Sequence, residues 1–228
     1  PATLDTLSPV EIERRIVKLG RRGRTDEALD LYEALQARPV QLNIRHINAA
    51  IDACSRSRPV RWDKALSILN ESSISPNVYT LGALLNACAR NHDAKAALHW
   101  LHALEPTVKP NAVCSQAAMT ACARARDLQA ALKLLNEAER ENIVLTVVGY
   151  NVVVSAAAKL GRVDIGLRIL RNMTDPLQSK PQPDAITYGT LLSACESAGD
   201  WERLLSLSEE MTTEGLQLDG ISWTSVLH

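Results

Sequence analysis

Residues 187–195 read TYGTLLSAC, and residues 80–88 read TLGALLNAC. Both stretches place apolar residues on the spacing of one helix face. Similar stretches recur along the chain, and a second apolar stretch follows each of them. The second stretches are marked by an Ala-Leu pair or its equivalent: Ala28-Leu29, Ala65-Leu66, Ala97-Leu98, Ala131-Leu132, Gly166-Leu167 and Leu204-Leu205. The chain is therefore predicted to consist of an internal helical repeat.

Aligning the copies sets the repeat boundaries. The full repeats are 9–43, 44–77, 78–111, 112–146, 147–184 and 185–219, with a lead-in at 1–8 and the truncated first helix of a seventh repeat at 220–228. Each repeat predicts two helices joined by a turn such as Gly161 or Gly199, with a cap such as Asp127 or Asp200 opening the second. One hairpin cannot bury its apolar stripe alone. We therefore predict an all-α fold, a right-handed α-solenoid of stacked helix-turn-helix repeats.

The composition limits the classes of function. The chain has 228 residues, is 46% hydrophobic and carries a formal net charge of −1. No apolar run approaches the roughly 18 residues of a membrane span, so no membrane association is expected. The chain starts at Pro1 rather than Met and stops at His228 inside a predicted helix. We therefore expect a fragment of a longer protein, with any targeting peptide outside it.

The recurring cysteines and the neighbouring histidines could in principle form metal or redox sites. Successive repeats should hold the sulfurs of the cysteine ladder too far apart for one ion or one disulfide, so packed, reduced thiols are predicted. The ladder consists of Cys54, Cys88, Cys122 and Cys195. For His99 and His102 the sequence offers no intervening catalytic Glu and no clear carboxylate partner, so a solvated face is expected. With no nucleophile motif or phosphate loop, neither an enzyme nor a cofactor is predicted, although a catalytic domain beyond His228 stays open.

Charge is segregated between the two helices of the repeat. The first fourteen residues of the six repeats together hold ten Lys and Arg against four Asp and Glu, while the rest of the chain holds fifteen against twenty-two. If the first helices line one face, that face is basic although the protein is not. A basic stripe of this kind suits a phosphate backbone.

Within the stripe, one repeat position forms a ladder of cations. The thirteenth residues are Arg21, Arg56, Arg90, Arg124 and Lys159. They could offset the dipole at each helix C-terminus, or they could form a row of phosphate contacts. Ser197 breaks the row in the sixth repeat.

The full pattern resembles the pentatricopeptide repeat. A Pro-Asn or Pro-Asp pair precedes Thr-Tyr and Leu-Leu, and a Gly-Asp or Gly-Arg turn leads to the Ala-Leu pair and a closing Met, as in 186–211 and 149–173. The tetratricopeptide repeat has a similar hairpin but requires a Gly within the first helix. This chain has larger residues there: Ile51, Leu85, Met119, Val154 and Leu192.

The resemblance implies one RNA base per repeat, read by the fifth residue of the first helix and the last residue before the next repeat. Asn48 with Asn77 resembles a reader of C or U, and Asn151 with Asp184 a reader of U. The remaining pairs depart from the family pattern. They are Gly82 with Asn111, Gly189 with Asp219, Gln116 with Thr146, Glu13 with Asn43, and the unpartnered Thr224. Weak or gapped base specificity is therefore expected.

The column of last residues also has a purely structural explanation, whereas an amide inside a helix, as at Asn48 and Asn151, is mildly unfavourable without a use. The last residue of each repeat precedes a helix and is a good N-cap, so helix capping could account for the residue type at this position. The family also places a base between residues at the second position of each repeat. Here that position holds Arg45, Tyr79, Val113, Val148 and Ile186, which could instead pack against the neighbouring hairpin.

The resemblance implies a protein that binds single-stranded RNA along its first helices and takes part in organellar RNA processing, stability, editing or translation. It implies a mitochondrion or a plastid, leaves protein partners open, and implies no small-molecule substrate. The alternative is a scaffold for protein–protein interaction, as in tetratricopeptide proteins, since the reading positions are degenerate and the rest of the chain is acidic.

Overall fold

The structure is a computed structural model that describes residues 8–37, 42–72, 74–176, 178 and 180–216. These residues form twelve α-helices and no strand, which confirms the predicted all-α fold class. The helices are α1 (Pro9–Arg21), α2 (Thr25–Gln36), α3 (Ile44–Arg56), α4 (Trp62–Glu71), α5 (Val78–Asn91), α6 (Ala94–Leu104), α7 (Ala112–Arg124), α8 (Leu128–Arg140), α9 (Val147–Lys159), α10 (Val163–Thr174), α11 (Ala185–Ala198) and α12 (Trp201–Thr213). None of the described helices is long and apolar enough to cross a membrane.

The helices belong to two compact units, Pro1–Ala121 and Cys122–His228. In the first unit, α1 packs on α2 and α3, α3 packs on α2, α4 and α5, and α5 packs on α6. In the second unit, α9 packs on α8, α10 and α11, and α11 packs on α10 and α12. The first helices of successive repeats therefore lie side by side within each unit. The repeat boundaries themselves stay a prediction, and those at 1–7 and 217–228 fall outside the described residues.

Small residues allow the helices to approach closely. Ala53, at the tenth place of its repeat, is buried against α1, where a Cβ added to Gly20 would lie 3.0 Å from the Ala53 Cβ and 3.1 Å from its Cα. In the second unit, a Cβ on Gly166 would lie 2.5 Å from Leu191 Cδ2. Packing of this density leaves no room for one extra methyl group without displacement.

In five of the six described hairpins, the turn between the two helices contains a residue in the left-handed conformation. Glycine takes this role at Gly161 and Gly199, each with φ of +67°, which costs glycine no steric strain. His92 and Arg126 adopt the same conformation in the third and fourth repeats. The chain then reverses sharply, and this reversal keeps all the first helices on one side of each unit.

Candidate nucleic-acid interface

In the first unit, the structure brings together the predicted pair Asn48 and Asn77, the fifth and last residues of the second repeat. The Asn48 Nδ2 donates to the Asn77 Oδ1 over 3.3 Å, and the Thr80 hydroxyl donates to the Asn48 Oδ1 over 2.6 Å. The Asn77 oxygen also accepts from the backbone N–H groups of Tyr79 and Thr80. Both amide orientations are fixed by these bonds, since an N–H donor must face an oxygen acceptor.

The second unit repeats this arrangement with Asn151, Asp184 and Thr187. The Asn151 Nδ2 donates to the Asp184 Oδ1 over 2.9 Å, and the Thr187 hydroxyl donates to the Asn151 Oδ1 over 2.6 Å. The backbone N–H of Asp184 donates in turn to the Thr187 oxygen over 3.2 Å. Partial burial opposes ionisation of Asp184, but the hydrogen bonds from Asn151 and Thr187 outweigh it and hold the pKa of this carboxyl below its ordinary value.

Thr80 and Thr187 are site residues that the sequence reasoning missed. Both occupy the third place of their repeat, both are fully buried, and each orients the asparagine of the preceding repeat. The sequence contains a pattern that points to them. Asn stands at the fifth place in two repeats, and in both cases the next repeat has Thr at its third place. The bond nevertheless spans 32 residues in one unit and 36 in the other.

Most of the described last residues of the repeats cap the following helix, and two of them also form a hydrogen bond with an asparagine side chain. Asn43, Asn77 and Asp184 each cap the following helix with a side-chain oxygen, and the Asn111 Oδ1 accepts from the backbone N–H of Cys114. Thr146 makes no side-chain capping bond. Helix capping thus explains most of the residues at the last position of the repeats. The hydrogen bonds from Asn48 and Asn151 to this position are not needed for capping.

The remaining predicted reading positions are less organised. A Cβ built on Gly82 meets nothing within 4 Å, so its place in the first-helix row is open space. Gly189 is partly exposed and offers no side chain, and the partly exposed Gln116 side chain forms no hydrogen bond with a described residue. Asp219 and Thr224 lie outside the described residues.

The predicted base-flanking residues are exposed rather than packed against the next hairpin. Tyr79 is 75% exposed, Val113 63%, Val148 51% and Ile186 66%. Arg45 is exposed as well. Large apolar side chains usually leave water when a neighbour can cover them, so this column favours a ligand-facing role over core packing. Val10 holds the same place in the first repeat, is 54% exposed and was missed by the sequence reasoning.

A concave pocket of 440 Å³ in the first unit gathers several of these residues. Its lining includes Arg45, Asn48, Asn77 and Tyr79, together with Glu13. The pocket lining therefore combines polar groups with an exposed aromatic ring and a guanidinium group. Both of the latter groups can stack on a nucleobase.

Two members of the cation ladder, Arg56 and Arg90, are engaged by a carboxylate. Two others, Arg21 and Lys159, form no ion pair within the described residues, and we call these two open. The Arg90 Nε donates to the Ser55 carbonyl oxygen over 3.2 Å, and its guanidinium lies 3.9 Å from Asp52. Arg56 pairs with the same carboxylate over 2.7 Å. Asp52, which the sequence reasoning did not single out, therefore neutralises part of the ladder, and Arg90 also holds α5 to α3.

The other ladder cations end their helices. Arg21, Arg124 and Lys159 are exposed and are the last residues of α1, α7 and α9. This placement satisfies the helix-dipole explanation and leaves the side chains where a phosphate could reach them. Within the described residues, Arg21 and Lys159 form no ion pair.

The cysteines are buried free thiols. Burial raises the pKa of Cys54 and of Cys122 to about 11, so both stay protonated at neutral pH. No group of three or more His, Cys, Asp or Glu residues that could hold a metal ion occurs among the described residues. These observations fit the packing role expected of the cysteine ladder.

Two family descriptions match the sequence, each over more than half of the chain. Residues 105–228 match the pentacotripeptide-repeat region of PRORP, and residues 16–138 match "Pentatricopeptide repeat-containing protein". No curated protein matches the sequence significantly.

Solved structures show the same fold at low sequence identity. The maize pentatricopeptide repeat protein PPR10 is 24% identical with a TM-score of 0.75, over 97% of this chain and 32% of that one. PPR10 bound to an 18-nt psaJ RNA element is 21% identical with a TM-score of 0.64, over 100% and 36%. The PPR domain of Arabidopsis thaliana protein-only RNase P 1, in complex with tRNA, is 15% identical with a TM-score of 0.57, over 95% of each chain. The chain thus spans about a third of the PPR10 chains that it matches.

Proposed function

This chain belongs to the pentatricopeptide-repeat family, and we propose that it binds single-stranded RNA along the first helices of its repeats. Structures of similar fold carry an 18-nt RNA element in one case and a tRNA in the other. The proposal adds to this likeness a specific arrangement of side chains in the present chain.

One observation carries the proposal: the same pairing occurs independently in both units. Asn48 with Asn77, and Asn151 with Asp184, are each joined by a hydrogen bond between the fifth and the last residue of one repeat. Exposed residues at the second repeat position flank each pair, Arg45 and Tyr79 in the first unit, and Val148 and Ile186 in the second. Polar groups that meet the edge of a base, between residues that meet its two faces, are what recognition of an unstacked base requires.

The two pairs should differ in the bases they accept. Asp184 is ionised and therefore offers only acceptors, while Asn151 keeps one N–H beyond its bond to Asp184. Uracil presents an N3–H donor between two carbonyl acceptors, whereas cytosine presents an acceptor at N3. The Asn151 and Asp184 pair should thus favour U. The Asn77 Oδ1 is already occupied by bonds from Asn48 and from two backbone N–H groups, so its Nδ2 is left for the base. This donor can meet either the N3 acceptor of cytosine or a carbonyl oxygen of uracil.

The phosphate backbone should be held by the open members of the cation ladder. Lys159 and Arg21 are exposed at the ends of their helices, whereas Arg56 and Arg90 share the carboxylate of Asp52. We therefore expect fewer phosphate contacts than five rungs would give, and a moderate dependence of affinity on salt.

The biological role follows by extension from the family. We propose that the chain serves as an RNA-binding module in organellar RNA processing, stability, editing or translation, located in mitochondria or plastids. It acts by binding and contributes no catalytic group of its own. A nuclease assay on this chain, with and without a chelator, tests the last point, and chelator-sensitive RNA cleavage would contradict it.

The direct test is fluorescence anisotropy of the chain with U-rich, C-rich and A-rich single strands of ~10 nucleotides, titrated from low to moderate salt. We expect salt-sensitive binding that favours pyrimidines. Asn151→Ser should remove the preference for U opposite the fifth repeat, because serine is too short to keep the bond to Asp184.

Asn136→Ser is the matched control, since Asn136 is an exposed residue of the second helix α8. An equal loss of U preference in both variants would contradict base reading by Asn151. Absence of RNA binding at any salt would refute the proposed function and favour the alternative of a protein-interaction scaffold.

A further inference from the structure

The outward face of α1 is strongly basic. Five residues at helical spacing form this face, which we call the end face: Glu11, Arg14, Arg15, Lys18 and Arg22. All five are exposed, and together with Leu19 and Arg24 they line a depression of 420 Å³. The spacing of three, four and seven residues places them along one side of the helix.

The end face corresponds to the surface that later repeats use to pack on the hairpin before them. The same repeat positions in α3 are buried, and they are His46, Ala49, Ala50, Ala53 and Ser57. Two contacts show that these α3 residues face the preceding helix α1. The His46 Nε2 lies 3.3 Å from the Pro9 carbonyl oxygen, and Ala53 lies against Gly20. Small or neutral residues thus occupy the hairpin-stacking surface in α3, and charged residues occupy it in α1.

Those charges make the end face unsuitable for stacking a further hairpin in the same way. Four cations would have to leave water with one carboxylate among them, and buried ions without partners are strongly unfavourable. That carboxylate is already engaged, because Glu11 accepts from the Ser8 backbone N–H over 2.9 Å and from the Ser8 hydroxyl over 2.7 Å. No described residue forms an ion pair with Arg14, Arg15, Lys18 or Arg22.

The cations also repel one another along the helix. Arg14 and Lys18, and Lys18 and Arg22, stand four residues apart, the spacing at which like charges destabilise a helix. A polyanion placed over this row would relieve the repulsion. Arg21, the first rung of the cation ladder, directly precedes Arg22 of this row in the chain.

From this geometry we infer that the end face binds the phosphate backbone of the RNA segment that flanks the stretch held along the first helices. This inference rests on the proposed function and extends the RNA track around the end of the first hairpin. The contacts involve phosphates, so the end face should add affinity without base specificity.

The test uses two RNAs and two variants of the full chain. The short RNA supplies one nucleotide per repeat, about six in all. The long RNA extends the same sequence by ~10 nucleotides at either end in turn, which lets the end face contact phosphates. The end-face variant is Arg14→Glu, Arg15→Glu and Lys18→Glu. The control variant makes the same change of charge at exposed residues of second helices, Lys95→Glu, Arg168→Glu and Arg171→Glu.

We expect the wild-type chain to bind the long RNA more tightly than the short one for one of the two extensions. The end-face variant should lose that gain, and the slope of log affinity against log salt should fall by about 2, as three lost phosphate contacts predict. The control variant should keep most of the gain, and both variants should bind the short RNA as before. Circular dichroism checks folding, and the corresponding Gln variants replace any Glu variant that does not fold.

Different failures separate the two proposals. If the short RNA binds normally and neither extension adds affinity, the end-face inference is overturned and the proposed function stands. If both variants lose the affinity gain from the extension equally, the inference is also overturned, because the loss then reflects the net charge of the protein rather than the end face. If polyglutamate binds the end face as tightly as the RNA extension, the surface belongs to an acidic protein partner. If the short RNA does not bind the wild type at all, the proposed function itself fails.

Discussion

Replacing Thr187 by valine tests the hydrogen bonds that orient the reading pair. Valine keeps the shape of the buried side chain but removes its hydroxyl, which donates to the Asn151 Oδ1 and accepts from the Asp184 backbone N–H. Each group left without a partner in a buried setting costs about 1–3 kcal/mol. Asn151 is partly exposed, so water can restore part of its loss, and we expect the free energy of unfolding to fall by about 2 kcal/mol.

A loss of that size should lower the melting temperature by about 4–8 °C in a chain of this length. The amide of Asn151 then keeps only its bond to Asp184 and is held less firmly, so the preference for U opposite the fifth repeat should weaken as well. Thermal unfolding followed by circular dichroism measures the first effect, and anisotropy with RNAs that differ at one base measures the second.

Two further variants serve as controls for this prediction. Thr190→Val removes a hydroxyl from the same helix, but Thr190 donates only to the Ile186 carbonyl oxygen one turn earlier, so both properties should change little. Thr187→Ser keeps the hydroxyl and should restore the U preference. The reasoning is refuted if Thr187→Val matches Thr190→Val in both stability and base preference, or if the serine variant fails to restore the preference.

Gly20→Ala should lower the free energy of unfolding by about 1–3 kcal/mol in urea titrations, because the new methyl group meets the backbone of α3. Gly82→Ala should instead raise it by about 0.5–1 kcal/mol, since open space surrounds that helical position, and a loss there would contradict the geometry. Arg90→Gln should lower thermal stability by about 1 kcal/mol or more, whereas Lys159→Gln should weaken RNA binding and leave the melting temperature nearly unchanged. Because the folded pKa of Asp184 lies below its ordinary value of 3.8, the stabilisation by its ionised form should persist above about pH 4 and disappear as the pH falls through the folded pKa. Urea titrations at neutral and acidic pH should therefore show less acid sensitivity in Asp184→Asn, and an unchanged difference would contradict this role.

The sequence by itself determined the fold class and the positions that recur. Hydrophobic spacing and the repeated segments around Thr80 and Thr187 sufficed to predict hairpins, because a single hairpin cannot bury its own apolar stripe. The repeat also assigned Asn48, Asn77, Asn151 and Asp184 to equivalent places, since residues at one place of a repeat share one environment. That much follows from local chemistry and periodicity alone.

Only the tertiary structure decided which neighbour each of these side chains meets. Periodicity places Thr187 and Asn151 but does not reveal that a hydroxyl of one repeat orients the amide of the preceding one. It gives Arg90 and Lys159 the same place, yet Arg90 turns toward Ser55 and Asp52, because the preceding repeat happens to supply a carbonyl and a carboxylate there.

The exposure of the second-position column was likewise decided by packing. Tyr79 and Ile186 could have been covered by a neighbouring hairpin, but both stay exposed. This outcome depends on contacts between residues more than thirty positions apart. A repeat pattern fixes which residues are equivalent, while the pairing of polar and charged groups across repeats depends on the individual residue that each neighbour presents.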